Sequence, residues 1–247
     1  MCANYEPVTS AGRLLAHFGA IKASEEAPRE VWPIDRAPFI RLAEDGSGNR
    51  LCDDAVFGLL PHFAAELAYG RKTYNARSET VARLPSFRDA WARGQRCIIP
   101  AERVFEPCFE TGESQRWAIA FPGDAPMGIA GIYTRWHDTR TGQELFSFAM
   151  LTVNANGHPL MERFHRPGEE KRMVLILDQK DFGPWLACKP FEAARFFKAW
   201  SGPLEAYVAP VRGKAKAKAK VEVKKQEVPA KPPKRPESPP EQPGLFD

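Results

Sequence analysis

Cys2 stands directly behind Met1, and a small second residue favours removal of the methionine, which would leave an α-amine beside a thiol. Such a 1,2-aminothiol attacks an aldehyde through nitrogen to give an imine, then closes through sulfur to a five-membered thiazolidine. Both nucleophiles must act on one carbon, so no cysteine elsewhere in the chain can do this. Taken alone, Cys2 reads more readily as an incidental small residue, and the residues around it in the fold must decide.

Three further places carry chemistry. In YNARSET (Tyr74 to Thr80), Asn75, Arg77 and Glu79 alternate and would share one face of an extended segment. Asn75 offers hydrogen bonds to a nucleophile and Arg77 a fork for phosphate, although a solvated edge strand has the same pattern. Glu106 ends the otherwise apolar run RCIIPAERVFEP between Phe105 and Pro107, water-poor surroundings that suit a proton shuttle. A surface glutamate at a strand end is the plainer reading, and Glu102 and Glu110 are neighbours. His165, in LMERFHRPGEEKRMVLIL, is a general acid or base candidate, with His17, His62, His137 and His158 as competitors.

Elements able to hold these groups are mostly strands. Apolar runs at APFIRL (Ala37 to Leu42), DAVFGLLP (Asp54 to Pro61), RCIIPAERVFEP (Arg96 to Pro107), RWAIAF (Arg116 to Phe121), MGIAGIYTRW (Met127 to Trp136), LFSFAMLTVNA (Leu145 to Ala155) and RMVLIL (Arg172 to Leu177) read as strands. A first helix is expected after a Thr9 or Ser10 cap, with Leu14, Leu15 and Phe18 on one face and Gly19 as its stop. Helices are also expected at SFRDAWARG and FEAARFFKAW. Helices and strands do not alternate, so a doubly wound parallel sheet is disfavoured. The pattern predicts an α+β domain with a curved, largely antiparallel sheet.

The chain has 247 residues and a net charge of +4, with ten Lys or Arg against five Asp or Glu between Val211 and Asp247. The body is therefore close to −1, which argues against duplex wrapping and allows only a localised basic groove. KAKAKAK and seven prolines after Pro210 predict a flexible tail, 211–247, on a single domain, 1–210. Five cysteines without a CxxC pair fit neither a disulfide framework nor a zinc ribbon, so a reducing cytoplasm is expected, with no metal or organic cofactor. No signal-peptide pattern and no run of eighteen apolar residues occurs, so no membrane role is expected.

Taken in order, Cys2, FGLLP (Phe57 to Pro61), YNARSET, RCIIPAERVFEP, LTVNAN (Leu151 to Asn156) and the His165 loop resemble the motifs of the SOS response-associated peptidase family over roughly residues 1 to 210. The resemblance implies a barrel-like core and a monomer that joins Cys2, as a thiazolidine, to abasic sites in single-stranded DNA. It further implies that Asn75 orients the cysteine, Glu106 manages protons at the amine, His165 assists ring opening and imine chemistry, and Arg77 grips a phosphate. Autocatalytic removal of Met1 is implied by the peptidase name.

The sequence departs from the family pattern in three places. Ala3 and Asn4 follow Cys2 where the family has Gly and Arg, Phe57 replaces a Trp, and an insertion beginning at Arg166 separates His165 from Arg172 and Met173. An aromatic platform for bases is expected at His62 and Phe63. The terminal EQPGLFD contains Gln242, Leu245 and Phe246 in a Q-x-x-L-F pattern resembling the peptide by which bacterial repair proteins bind the replicative sliding clamp, and a Pro-rich tether suits such a motif. Two other readings compete: a thiol peptidase with Cys2 as nucleophile, and a noncatalytic module that binds damaged DNA.

Overall fold

Strand β6 (Arg96–Cys108) is 13 residues long, enough to serve two successive sets of neighbours, and the architecture follows from that. The computed structural model describes residues 2–22 and 28–209. The tail, and with it Gln242, Leu245 and Phe246, lies outside the described residues.

Strands β3 (Arg36–Leu42), β4 (Arg50–Phe57), β9 (Glu144–Asn154), β8 (Met127–His137) and β6 follow one another by hydrogen bonding, and β6 pairs with both β3 and β8. Five strands thus close into a small barrel, which leaves its core strands without free edges. The first half of β6 pairs with β8, from Arg96 opposite Ile132 to Ala101 opposite Met127. Its second half leaves the barrel and pairs with β7 (Gln115–Ala120), from Arg103 opposite Ala120 to Cys108 opposite Gln115. On the other edge of that half runs β1 (Asn4–Pro7), with Asn4 opposite Phe105. The N-terminus is thereby carried to the end of β6.

The predicted class holds: the domain is mostly β, with short helices and a largely antiparallel sheet. The parallel pairs among the described residues are β2 (Ala20–Lys22) with β4, β4 with β9, and β5 (Asn75–Arg77) with β9. Phe39, Ile40, Phe57, Ile98, Ile99, Phe148 and Met150 are buried in the core. Phe57 stacks on Phe148 at 5.4 Å and meets the rings of Tyr5 and Tyr74 edge-on at 5.4 and 5.6 Å. Burying a ring this fully is worth about 1.5–3 kcal/mol, so Phe57 fixes β1 and the segment before β5 to the barrel wall.

Gly58, in the FGLLP run, has a φ of +126°, and a Cβ there would sit 2.3 Å from the carbonyl oxygen of Gly70. Only glycine permits both the backbone conformation and that approach. The close contact brings the 3₁₀ turn Leu67–Lys72 against the end of β4, and β5 starts three residues later.

Several expectations need correction. DAVFGLLP is strand only as far as Phe57, because Gly58 turns the chain. RMVLIL divides at Leu175 into β10 (Arg172–Val174), paired with β9, and β11 (Ile176–Leu177), paired with β8, so one run bridges two partners. The first helix begins as α1 (Ala11–Arg13), capped by Ser10, but widens into a π turn over Leu14–Phe18 before Gly19 ends it at φ 62°. Leu14 and Phe18 are buried there and Leu15 is exposed. The helix predicted at SFRDAWARG is α2 (Pro85–Ala92), whereas FEAARFFKAW forms 3₁₀ turns over Pro190–Phe196. Its buried residues, Ala193 and Phe196, are three apart, a spacing that the three-residue turn satisfies.

Candidate active site at the N-terminal cysteine

Because Asn4 is opposite Phe105, Cys2 arrives beside the end of β6, where Glu106 is found. Cys2 is buried, and its Sγ donates to the carbonyl of Asn4 at 3.3 Å. Asn75 opens β5, and its Nδ2 donates to the carbonyl of Cys2 itself at 2.7 Å. The main chain of position 2 is therefore held by a side chain 73 residues away. The Oδ1 of Asn75 is buried without a donor among the described residues.

His165 is fastened to the same strand end. Phe164 forms a bridge with Cys108, and the backbone N–H of His165 donates to the carbonyl of Pro107 at 2.9 Å. Its φ of +63° turns the imidazole back onto β6, an uncommon conformation for a residue other than glycine and one found disproportionately at functional sites. His165 Nε2 lies 3.1 Å from Glu106 Oε2, with both side chains buried. His165 Nδ1 is buried with no hydrogen-bond partner among the described residues.

In the chain that retains Met1, the thiol of Cys2 is pushed up to about 12, first by burial and then by the negative charge of Glu106, against weaker opposing contributions from the backbone at Asn4, the N-terminal charge and the backbone at Phe105. Tyr74 is raised by burial and by the same two neighbours, Cys2 and Glu106, so three groups share one electrostatic environment. At neutral pH the sulfur is a thiol.

Residues 1–214 match the profile of the family described as SOS response associated peptidase (SRAP). The chain belongs to the SRAP family. Among curated relatives, the protein named Abasic site processing protein YoqW, from Bacillus subtilis, is 32% identical over 149 residues, which is 60% of this chain and 62% of that protein. Abasic site processing protein HMCES of Gallus gallus is 26% identical over 131 residues, 44% of this chain and 39% of that one. The chain thus spans less than two thirds of the curated relatives it matches. A crystal structure of a Bordetella bronchiseptica protein is 33% identical and superposes with a TM-score of 0.78, over 85% of this chain and 100% of that one. One from Bacteroides thetaiotaomicron is 25% identical, with a TM-score of 0.72 over 85% and 92%.

In this SRAP domain the remaining sequence candidates are placed less centrally. Arg77 is exposed at the end of β5 and paired with Glu170 at 2.9 Å. Glu79 does not share its strand face: β5 ends at Arg77, and Glu79 lies in the following turn, bonded to Arg172. Phe63 is 47% exposed and meets His62 and Tyr69 edge-on, at 5.3 and 5.8 Å. Of the competing histidines, His158 is a loop brace, contacting the carbonyl of Trp200 and the backbone N–H groups of Leu160 and Met161. His62 is exposed beside Asp89. Among the described residues no group of three His, Cys, Asp or Glu could hold a metal ion, and no helix is long and apolar enough to cross a membrane.

Sequence reasoning missed Tyr74, which adjoins Asn75 in the motif, and Trp32. Val31 bridges Tyr5, so the 44% exposed Trp32 lies alongside Asn4. A lone tryptophan in a loop gave no periodic signal. Asn4 itself also has a structural role. Asn4 is buried, donates to the carbonyl of Val31 at 3.0 Å, and accepts from Arg116, whose guanidinium lies 3.5 Å over the Phe105 ring. An arginine from β7 thus stands beside position 4.

Burial of the cysteines has a consequence for pH. Cys2 and Cys52 are both pushed up to about 12, chiefly by burial, whereas an unfolded chain releases such protons near pH ~8.5. Between those values the folded chain holds protons that the unfolded chain has lost. Stability therefore falls as pH rises, by about 1.4 kcal/mol per pH unit for each thiol. Urea midpoints are expected to drop between pH 8 and pH 10, less steeply in Cys52→Ala. A flat profile in both proteins would contradict the burial of the thiols.

Proposed function

We propose that this protein captures abasic sites in single-stranded DNA, the mature N-terminal Cys2 forming a thiazolidine with the ring-opened sugar. The relatives named as abasic site processing proteins support the substrate class. The observation that carries the chemistry is the bond from Asn75 to the carbonyl of Cys2. A nucleophile acting through its side chain alone gains little from a clamp on its own main chain. A reaction that uses the α-nitrogen needs that nitrogen fixed, and the vacant acceptor on Asn75 Oδ1 is suited to receive its N–H.

The α-amine, freed by loss of Met1, attacks C1′ of the aldehyde, and loss of water gives an imine. The Sγ–H then adds across the C=N bond, sulfur to carbon and proton to nitrogen, so the sum is aldehyde plus aminothiol giving thiazolidine plus water. The Glu106 and His165 pair serves to move protons, supplying one to the departing hydroxyl and taking one from the attacking amine. A thiol raised by burial and by the charge of Glu106, as in the chain that retains Met1, suits this order, in which nitrogen attacks first. It does not suit a thiol peptidase, whose thiolate requires a depressed value, and His165 is bonded to Glu106.

Arg77 is assigned to the DNA backbone, and the exposed rings of Phe63 and Trp32 to base stacking. Residues 1–210 act as the capture domain of a cytoplasmic protein. Mixing Met1-processed protein with an oligonucleotide bearing one abasic site and resolving it under denaturing conditions tests the reading. A Cys2-dependent shifted band is expected, whereas peptide turnover without a band would favour the peptidase, and heat-labile binding alone the noncatalytic module. Residues 211–247 are assigned as a tether that brings Gln242, Leu245 and Phe246 to a sliding clamp. Leu245→Ala with Phe246→Ala is expected to abolish co-purification with purified clamp, and unchanged binding would remove that assignment.

A further inference from the structure

Three strand ends meet at one rim of the sheet. Arg77 closes β5 opposite Thr152, Asn154 closes β9, and Arg172 opens β10 opposite Asn154. Their donors converge on a single carboxylate, that of Glu170. Asn154 Nδ2 donates to Oε1 at 2.9 Å, Arg172 Nη1 to the same oxygen at 2.7 Å, and Arg77 Nη1 to Oε2 at 2.9 Å. Two guanidinium groups and an amide around one anion form the arrangement by which proteins hold phosphate.

Glu170 differs from the other acid in the cluster. The Arg172 side chain is 2% exposed, and its Nη2 donates to the carbonyl of Thr152 at 2.8 Å and to Glu79 Oε2 at 2.9 Å. Those contacts satisfy the buried guanidinium whether or not Glu170 is there. Glu170 comes from the segment between His165 and β10. The next residue, Lys171, is pinned by its backbone N–H to Asn156 Oδ1 at 2.8 Å and by Nζ to the carbonyl of Phe164 at 2.8 Å. Rotation of one side chain, with no loop movement, therefore clears the pocket. Charge gives the same answer: Arg77 and Arg172 are balanced by Glu79 and Glu170, and a phosphate added on top would be repelled, whereas one that replaces Glu170 keeps the balance.

We infer that the Glu170 carboxylate, held by Arg77, Asn154 and Arg172, is the resting occupant of the place that the DNA reading above gives to a backbone phosphate, and that DNA must displace it. This extends the DNA reading above and rests on it. The carboxylate lowers affinity for undamaged single strands, so the protein is not titrated by DNA that carries no lesion, and covalent capture at Cys2 makes up the difference at an abasic site.

The test measures binding of a fluorescent, undamaged thymidine 15-mer to the full chain by anisotropy across a salt series, together with crosslinking to an abasic oligonucleotide. Glu170→Gln and Glu170→Ala are each expected to tighten binding about tenfold at low salt and to steepen its salt dependence by roughly one phosphate contact. The gain should vanish in an Arg77→Ala background. Two variants guard against a local packing defect in either, and thermal melting confirms that both fold. Unchanged or weaker binding in both, with Arg77→Ala still weakening the parent, overturns the competition and leaves the DNA reading intact. No DNA binding and no crosslink in any protein overturns both.

Discussion

Cys2→Ala, with Met1 removed, is expected to lose the denaturation-resistant adduct with abasic DNA entirely, while borohydride restores a band. The two results follow from the order of bond formation. Alanine keeps the α-amine and, through its backbone carbonyl, the hydrogen bond that Cys2 receives from Asn75 at 2.7 Å. Imine formation survives, and hydride traps it. Without sulfur the imine has no internal nucleophile and returns to aldehyde and amine, so nothing persists on a denaturing gel. Blocking Met1 removal should abolish the reductant-free band of the parent, since the nitrogen of Cys2 is then an amide and no thiazolidine can close. A stable adduct in Cys2→Ala without reductant would rule out the thiazolidine, and no borohydride band would point to a nucleophile other than the amine. The parent should exceed the alanine variant by at least about two orders of magnitude, because closing sulfur onto a carbon already bonded to the neighbouring nitrogen is an intramolecular step.

How much of this was legible beforehand depends on the kind of signal. The barrel strands are long apolar runs, and β6, β8 and β9 start and end within a residue or two of where alternation and composition put them. The exceptions are places where two partners compete for one segment. RMVLIL reads as one strand but serves both β9 and β8, and the sequence has no mark for a change of partner at Leu175. FEAARFFKAW has good helix formers, but burial of Ala193 and Phe196 imposes a tighter winding, so packing overrides propensity.

The site was legible as residue types and not as contacts. Cys2, Asn75, Glu106 and His165 were singled out separately, each with a plainer reading that was as good or better. What joins them is register: Asn4 opposite Phe105 brings Cys2 to Glu106, Asn75 opposite Met150 brings β5 within reach of Cys2, and the bridge of Phe164 to Cys108 returns His165 to β6. None of these pairings is local. Arg77 and Glu79 show the opposite failure, since alternation put them on one face and the chain turned after Arg77.

Glu106→Gln is expected to slow crosslinking by about 10²–10³ without abolishing it, and His165→Asn to slow it comparably. Gln keeps the size and one acceptor but cannot carry a proton. Asn is chosen for position 165 because the φ of +63° there is tolerated by asparagine and strained for most other residues. Since the two side chains touch at 3.1 Å and would act as one relay, the double variant should be little slower than either single one. Multiplicative losses would mean that they act on different protons. A second readout separates a proton-moving role from a structural one. The charge of Glu106 raises the Cys2 thiol, so removing it must lower that value, and alkylation of Cys2 should begin at lower pH in Glu106→Gln than in the parent. Slower capture together with a thiol that ionises more readily is the combination a thiolate-driven mechanism forbids. It is expected if the carboxylate is needed to move protons for an amine that attacks first. Should the variant capture faster as its thiol becomes more acidic, sulfur leads and the proposed order is reversed.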